Sequence, residues 1–329
     1  HRDKRALTAS YNYLIMGTIG ATFFVIGVGF LYMATGTLNM ADLADRIENQ
    51  YDSRTVRAAF AFIMVGMGLK VAIFPLHLWL PNAYTYAPSA ITSFLAATAT
   101  KVAIYVMLRF LFSVFQPGFL AEVPTLDLIL YPFAILAMFA ASYTAILQRD
   151  LKRMLAYSSI GQVGYMLLGI ALLSESGLMA TMIHLFNHGI TKAALFMGVG
   201  VYVLNGGGSF YHNLRGRGKT MPWTSAAMVV AGLSLIGVPG TAGFLSKWLL
   251  VEATLEQGLW PIALLIVASS LLAVIYVWKL IETLYLAQPA EGLQDQNVPL
   301  MMMIPLWVMA LACIYFGFDT DITLSAARS

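Results

Sequence analysis

Charged residues are scarce in this sequence. Asp, Glu, Lys and Arg make up 11% of its 329 residues, whereas a soluble domain carries about a quarter. Hydrophobic residues make up 59%, and the mean hydropathy is +0.76. This composition excludes an ordinary soluble domain and indicates a membrane protein. The formal net charge of +3 is too small to indicate nucleic-acid binding.

Cysteine is nearly absent as well. Cys313 is the only one, so the chain cannot build a disulfide framework or a thiolate metal cluster. No flavin, haem, iron–sulfur or quinone motif is visible in the sequence. The sequence therefore predicts no cofactor and no catalytic chemistry in this chain, and any redox chemistry would belong to partner subunits.

Acidic residues are missing from the middle of every apolar run, because Glu252 and Glu282 lie near the ends of theirs. Sodium is a hard cation that needs oxygen ligands, carboxylates above all when it is dehydrated. The chain is therefore poorly equipped to bind sodium and better equipped to move protons. If sodium is exchanged, we expect partner subunits to carry it.

The apolar residues form about nine runs, each long enough for the roughly 20 residues that a helix needs to cross a bilayer. Backbone groups in the bilayer core must bond within their own segment, so we expect an all-α, polytopic fold. The whole chain, residues 1–329, is expected to form a single membrane domain. The predicted spans are 11–35, 58–82, 88–115, 127–147, 154–173, 178–204, 223–250, 260–285 and 297–317.

Basic residues are concentrated at one end of these runs. The end that includes the chain's N-terminus carries Arg2, Lys4, Arg5, Arg149, Lys152, Arg153, Arg215, Arg217 and Lys219. The opposite end carries fewer, interleaved with acids: Arg46, Arg54, Arg57 and Arg328, with Asp42, Asp45, Glu48 and Asp52. Because cytoplasmic loops carry the excess of Lys and Arg, the N-terminus of this chain is predicted to be cytoplasmic.

Two of the runs contain helix breakers. Pro75 lies in the run 58–82, and Pro239 lies within Gly237-Val238-Pro239-Gly240 in the run 223–250. Proline removes an amide donor and clashes with the preceding turn, so it either kinks or breaks a helix. A packing kink is the alternative for either proline alone. Two broken helices, each with a lysine nearby, favour an ion path near the membrane midplane.

Several lysines lie inside apolar runs, where a charge costs on the order of 3 kcal/mol. Lys70 comes five residues before Pro75, Lys101 lies near the middle of its run, and Lys247 follows Pro239. Tyr105, one turn after Lys101, could join it in a proton relay. A lysine gives up its proton more readily when it is desolvated. The alternatives are snorkelling to the membrane surface for Lys70 and Lys247, and a purely structural role for Lys101.

Two histidines and a lysine, His184, His188 and Lys192, follow one another at intervals of four residues. They share one face of a helix and span about 12 Å. Histidine titrates near neutral pH, so such a row can pass protons. The histidine pair could also bind a metal or haem, but the other histidines, His1, His77 and His212, lie at helix ends or in loops. Since metal sites need further ligands, the pattern favours protons.

Four segments give the sequence a family resemblance. They are Gly68–Arg109 (beginning GLKVAIFPLHLWLPNAY), Asp150–Ile170 (DLKRMLAYSSIGQVGYMLLGI), His184–Phe196 (HLFNHGITKAALF) and Gly237–Trp248 (GVPGTAGFLSKW). The chain resembles the antiporter-like subunits shared by respiratory complex I, membrane-bound hydrogenases and Mrp-type cation/proton antiporters. Within that set it is most similar to the D-type subunits of the Mrp antiporters.

The resemblance implies a fold of about fourteen helices with two inverted repeats, each holding a broken helix. The runs of this chain would be its helices six to fourteen. The first repeat's remainder would be about 1–115, the second repeat about 127–285 and the final helix about 297–317. The chain begins at His1 with neither an initiator methionine nor a signal peptide, so we expect it to be the C-terminal part of a longer subunit.

The resemblance also implies roles for individual residues. Lys70 matches the lysine of the first broken helix, and Lys101 matches the lysine that connects the two half-channels. His184, His188 and Lys192 match the central polar axis, and Lys247 matches the terminal basic residue of the second half-channel. The family pairs the lysine of the first broken helix with a glutamate on its fifth helix, which nothing in this chain supplies.

Two functions are compatible with these implied roles. The favoured one is a proton-translocating subunit of a multisubunit cation/proton antiporter in a bacterial inner membrane, assembled with other membrane subunits. The alternative is a proton-pumping membrane subunit of a complex I-like NADH-quinone oxidoreductase or a membrane-bound hydrogenase, so that the chain would belong to a redox-driven enzyme. Both would use the same channel, so the residues alone do not separate them.

Overall fold

The computed structural model of the protein describes residues 4–123, 125–206, 208–288, 298–320, 323 and 325. Apart from an isolated β-bridge between Asp150 and Phe210, the regular secondary structure of these residues is helical. Two π-helical segments, Arg109–Phe115 and Glu282–Leu286, continue the helices before them. The helices are α1 Lys4–Thr35, α2 Met40–Glu48, α3 Arg54–Val71, α4 Trp79–Tyr86, α5 Ser89–Leu108, α6 Gln116–Ala121, α7 Thr125–Leu147, α8 Leu151–Ala171, α9 Glu175–Leu204, α10 Tyr211–Leu214, α11 Arg217–Thr220, α12 Pro222–Ile236, α13 Ala242–Glu256, α14 Trp260–Ile281 and α15 Leu300–Phe318.

The prediction of a polytopic α-helical membrane protein is confirmed. Six helical segments of the described residues are each long and apolar enough to cross a bilayer: Lys4–Thr35, Ser89–Ala121, Leu128–Leu147, Leu151–Ala171, Trp260–Leu286 and Leu300–Phe318. The remaining predicted spans correspond to α9 and to two helix pairs, α3 with α4 and α12 with α13. Both pairs are interrupted where the prolines predicted a break.

The first break separates α3 from α4. Helix α3 ends because Ala72 takes a left-handed conformation, with φ at +62°. The amide of Ile73 then bonds back to the carbonyl of Gly68 at 2.9 Å. The indole Nε1 of Trp79 donates to the carbonyl of Leu69 at 2.9 Å. Carbonyls that lose their helical partner are thus satisfied within the protein, as the bilayer requires.

The second break separates α12 from α13. Gly237 ends α12 with φ at +90°, a conformation that favours glycine. The amide of Val238 bonds back to the carbonyl of Leu233 at 3.1 Å. Across the break, the amide of Gly243 donates to the Ser234 hydroxyl at 3.2 Å. The two half-helices therefore approach each other closely at Gly243.

Helices α8 and α9 form the centre of the bundle. Of the most apolar stretch of α8, 94% is buried, against 17% for the corresponding stretches of α1 and α15. Helix α9 packs against α5, α8, α12, α13 and α15. Polar side chains on the facing surfaces of α8 and α9 are therefore shielded from lipid on all sides.

Two of the basic loops lie side by side, as the sequence predicted for one end of the membrane. The amide of Leu151 donates to the carbonyl of Ser209 at 2.7 Å. Asp150 caps α8 through the amide of Arg153 at 3.1 Å and accepts a bond from the Ser209 hydroxyl at 2.7 Å. The side of the membrane on which this end lies stays a prediction, and Arg2 and Arg328 lie outside the described residues.

Replacing Gly243 by alanine should destabilise the second break. A Cβ at Gly243 would lie 1.8 Å from the carbonyl oxygen of Ser234, so α12 and α13 would have to separate. Overpacking of this kind costs about 1–3 kcal/mol, and we expect a lower midpoint of thermal unfolding for the complete subunit in detergent. Gly29→Ala in α1 is the control, since a Cβ there meets no atom within 4 Å. Equal midpoints for the two variants would contradict this close approach.

Candidate functional site

The predicted row of titratable residues on α9 is buried in the centre of the bundle. His184, His188 and Lys192 are 5%, 3% and 0% exposed. The two imidazole rings stack with their centroids 6.0 Å apart and their planes 1° from parallel. The structure therefore brings these three residues together on one continuous, lipid-shielded face, called the stripe below.

Lys192 is held entirely by neutral groups of α8. Its ammonium donates to the carbonyl oxygen of Leu155 at 2.8 Å and to the hydroxyl of Ser158 at 2.6 Å. A buried charge without any partner would cost several kcal/mol. These oxygens reduce that cost, and they do so without a carboxylate.

The histidines have spare hydrogen-bonding capacity. His184 uses Nδ1 in a 2.8 Å bond with the Ser246 hydroxyl on α13. Its Nε2 and both ring nitrogens of His188 are buried without a protein partner. An unpaired buried polar group costs about 1–3 kcal/mol, and an ordered water usually supplies the missing hydrogen bond. The stripe is thus a place where water can complete a hydrogen-bonded chain.

Lys247 is anchored by the second break. Its ammonium donates to the carbonyls of Leu235 and Ile236, at 3.1 Å and 2.8 Å. These carbonyls belong to the last turn of α12, where the break at Gly237 frees them from helical partners. The side chain is 6% exposed and is bonded to the interior, which differs from the snorkelling alternative. The ammonium also lies 4.9 Å from the ring centroid of Tyr165.

Lys101 approaches the stripe from α5. It is 5% exposed, and its ammonium bonds to the carbonyl of Ala96 in its own helix. It lines a cavity of about 680 Å³ between α5, α9 and α15. Gly189 and Ala193, which follow the stripe residues directly on α9, line the same cavity. The structure thus places Lys101 beside the stripe, whereas Tyr105 is 46% exposed on the outer side of α5.

Lys70 lies apart from the buried row. It is in the last turn of α3 and is exposed on the surface of the chain. It borders a cavity of about 290 Å³ lined by Tyr13 and Trp79. The breaking residues Pro75 and Pro239 are exposed within their interhelical segments.

Sequence reasoning missed the residues that hold this row in place. They are Ser158 and Tyr165 on α8 and Ser246 on α13. Ser158, Gln162 and Tyr165 are spaced by four and three residues, so they form a polar row on one face of α8. That spacing was visible in the sequence. Which helix the row faces was not visible.

Metal binding finds little support in this geometry. Among the residues that the structure describes, no three His, Cys, Asp or Glu side chains are grouped as a metal site requires. His184 and His188 present stacked rings rather than nitrogens that converge on one point.

Comparison with known proteins identifies the family. Residues 1–273 match the model described as NADH:quinone oxidoreductase/Mrp antiporter, TM. This chain belongs to that family. The family resemblance inferred from the four sequence segments is thereby confirmed.

Relatives in two kinds of assembly are similar to the chain over nearly its whole length. The N subunit of an NADH-quinone oxidoreductase from Desulforudis audaxviator is 39% identical over 98% of this chain and 66% of its own length. The D subunit of a Na(+)/H(+) antiporter from Alkalihalophilus pseudofirmus is 31% identical over 97% of this chain and 64% of its own length. The chain therefore spans slightly less than two thirds of these relatives.

A solved structure shares the fold. A chain of the Mrp complex from Dietzia sp. DQ12-45-1b superposes with a TM-score of 0.88 at 25% identity, over 98% of this chain and 67% of that one. A chain of respiratory complex I from Thermus thermophilus superposes with a TM-score of 0.80 at 25% identity, over 99% of this chain and 70% of that one. The fold therefore does not by itself distinguish the assemblies.

Ser158→Ala should weaken the α8–α9 contact at Lys192. The variant leaves the buried ammonium with the Leu155 carbonyl alone, and a hydrogen bond to a charged group contributes about 1.5–3 kcal/mol. We expect a lower thermal unfolding midpoint for the complete subunit in detergent. The control is Ser159→Ala, because the Ser159 hydroxyl is also buried but bonds only to Leu155 of its own helix, at 3.0 Å. An unfolding midpoint as high for Ser158→Ala as for Ser159→Ala would show that Lys192 does not depend on this hydroxyl.

Proposed function

We propose that this chain is part of a proton-translocating membrane subunit, and that the path includes Lys101, the stripe of His184, His188 and Lys192, and Lys247. The observation that carries the proposal is the buried row of titratable groups whose partners are neutral. A carboxylate partner would favour one charged state of each lysine. For these buried lysines, neutral oxygens leave both protonation states accessible, so the ammonium can lose its proton without leaving a buried carboxylate unpaired.

The geometry supports a sequence of short transfers. The ring centroids of His184 and His188 are 6.0 Å apart, and no hydrogen bond joins the two rings. One ordered water at the unpaired imidazole nitrogens would bridge them. From His184 the Ser246 hydroxyl leads to α13, where Ser246 and Lys247 are consecutive residues. Lys101 adjoins the stripe from α5 through the cavity that it lines with residues of α9.

The assembly we propose is a complex I-like NADH-quinone oxidoreductase, the alternative of the sequence analysis. Over almost equal coverage, identity is 39% with the oxidoreductase relative and 31% with the antiporter relative. This difference favours the redox-driven assembly over the Mrp antiporter that the sequence motifs favoured. Its partners would be the other membrane subunits of such a complex.

The proposal includes an orientation and a missing partner. The concentration of basic residues around Arg149 and Arg215 supports a cytoplasmic N-terminus for this chain in a bacterial inner membrane. Lys70 is exposed and borders a cavity between α1, α3 and α5, so a carboxylate can approach it from another part of the full-length subunit or from another chain. We propose that such a carboxylate completes the first half of the path.

Lys247→Ala should abolish proton translocation while the complex still assembles. The variant removes the titratable group at the break, and alanine is inexpensive to place in a membrane helix. Translocation would be followed with a pH-sensitive dye in inverted vesicles energised by NADH. An imposed sodium gradient replaces NADH to test the antiporter alternative.

The control is Lys279→Ala. The Lys279 ammonium has the same kind of surroundings, two carbonyls at 3.0 Å and 2.8 Å and a tyrosine ring at 4.9 Å, but it lies at the ends of α7 and α14, away from the stripe. We expect this variant to keep translocating. Normal translocation by Lys247→Ala would remove Lys247 from the path.

Lys101→Arg tests whether this position exchanges protons or only carries charge. Arginine keeps the positive charge but does not deprotonate in proteins, and the cavity of about 680 Å³ beside Lys101 leaves room for a guanidinium. A relay should therefore lose NADH-driven translocation in the same dye assay, by about tenfold or more. If the variant translocates protons normally, Lys101 contributes only a fixed positive charge and the relay assignment at this position is wrong.

A further inference from the structure

The ring of Tyr165 lies between the last two titratable groups of the row. Its centroid is 4.9 Å from the Lys247 ammonium and 5.8 Å from the centroid of the His184 ring. The side chain is 2% exposed, so water does not screen these contacts.

The tyrosine ring is fixed from its far end. Its hydroxyl bonds to the hydroxyls of Ser269 and Ser270 on α14, at 3.0 Å and 3.3 Å. Ser269 in turn donates to the carbonyl of Met138 on α7 at 3.3 Å. The hydroxyl is thus committed to α14, and the ring face is what Tyr165 offers to Lys247.

The surroundings of the Lys247 ammonium show what the ring face does. An ammonium has three N–H donors, and two of them are used by the carbonyls of Leu235 and Ile236. The Tyr165 ring, with its centroid 4.9 Å from the ammonium, is a third contact. A cation over an aromatic face is stabilised by the negative charge density of that face, and the effect is largest where water is excluded.

We propose that Tyr165 is a positioning residue of the proton path, whose ring face holds the charged form of Lys247 at the second break and beside His184. This inference rests on the proposed function. It assigns to Tyr165 a role that is separate from its hydroxyl: the ring sets how firmly the ammonium stays at the end of α12, and therefore how readily it takes up and passes on a proton.

The molecule contains a natural control for this arrangement. Lys279 lies 4.9 Å from the ring centroid of Tyr211 and also donates to two backbone carbonyls. The carbonyls lie at the end of α7 and Tyr211 lies on α10, so the whole arrangement is away from the stripe. A purely structural lysine–tyrosine contact should therefore respond in the same way at both positions, whereas a role in transfer should appear at Tyr165 alone.

The experiment varies the charge density of the ring at nearly constant shape. Tyr165→Phe keeps the ring and should retain at least about half of NADH-driven proton translocation, whereas Tyr165→Leu should lower it on the order of tenfold. Phenylalanines with one, two and three ring fluorines are then incorporated at position 165 of the complete subunit in its assembled complex. Fluorine withdraws charge from the ring face, so translocation should fall stepwise along the series.

The same fluorinated series at position 211 should leave translocation unchanged. A flat series at position 165 in complexes that translocate protons would overturn the role of the Tyr165 ring and leave the proposed function intact. A wild-type complex that moves no protons under NADH or a sodium gradient would instead overturn the proposed function. Blue-native gels of every variant would show whether a loss reflects failed assembly, and a graded loss with equal assembly is the result that supports the proposal.

Discussion

The absence of water from the bilayer core is the constraint on which this structure depends, since each buried polar group must find its partner in the protein. Broken helices supply such partners, because each break frees carbonyl oxygens. At the second break these oxygens accept from the Lys247 ammonium. At the first break the Leu69 carbonyl accepts from the Trp79 indole instead, while Lys70 is exposed. The two breaks are alike in backbone, but only the second is coupled to a buried cation that the structure describes.

The surroundings of Lys247 and Lys70 differ, and so the two halves of the proposed path differ in what completes them. Lys247 has its surroundings complete within the chain and needs no further partner to be tolerated in the membrane. Lys70 borders a small cavity at the surface of the chain, so its environment depends on what covers that surface. The second half of the proposed path is therefore preformed, and we propose that the first half depends on parts of the assembly beyond these residues.

Sequence periodicity predicts which residues of the proposed path share one helix face, but not the contacts they make with a second helix. A repeat of four residues places His184, His188 and Lys192 on one face of α9, and glycine and proline indicate both breaks. Periodicity shows which residues share a face but not which face lies opposite. The pairing of Lys192 with Ser158, and of Tyr165 with Lys247, depends on the register between α8 and its neighbours. That register is set by packing, including close approaches such as the one at Gly164, where a Cβ would lie 2.8 Å from the Ala134 carbonyl of α7.

Surface features escaped the sequence analysis for a related reason. The short helix α2 contains three acids and one arginine, so it lies outside the predicted spans, which are apolar runs. Tyr105 follows Lys101 by one helical turn, yet the Lys101 side chain bonds back to Ala96 while Tyr105 remains 46% exposed. A spacing of four residues brings two side chains near each other on average, but the direction in which a lysine extends depends on the partners that packing offers it.

The choice of neutral partners explains why acids are missing from the middle of the spans. Where the chain uses carboxylates, it uses them near the ends of its helices, as in the pairs of Arg46 with Asp42 and of Arg57 with Asp52. There, solvent screens the charges, and the proposed function requires no proton transfer at these positions. Inside the bundle a carboxylate beside Lys192 or Lys247 would stabilise the ammonium strongly. If the lysine then lost its proton, the carboxylate would remain as an uncompensated buried anion. Carbonyls, hydroxyls and an aromatic ring reduce the cost of burying the charge without creating that penalty, so in the proposed path the same residues that make the lysines tolerable in the membrane also allow them to lose a proton.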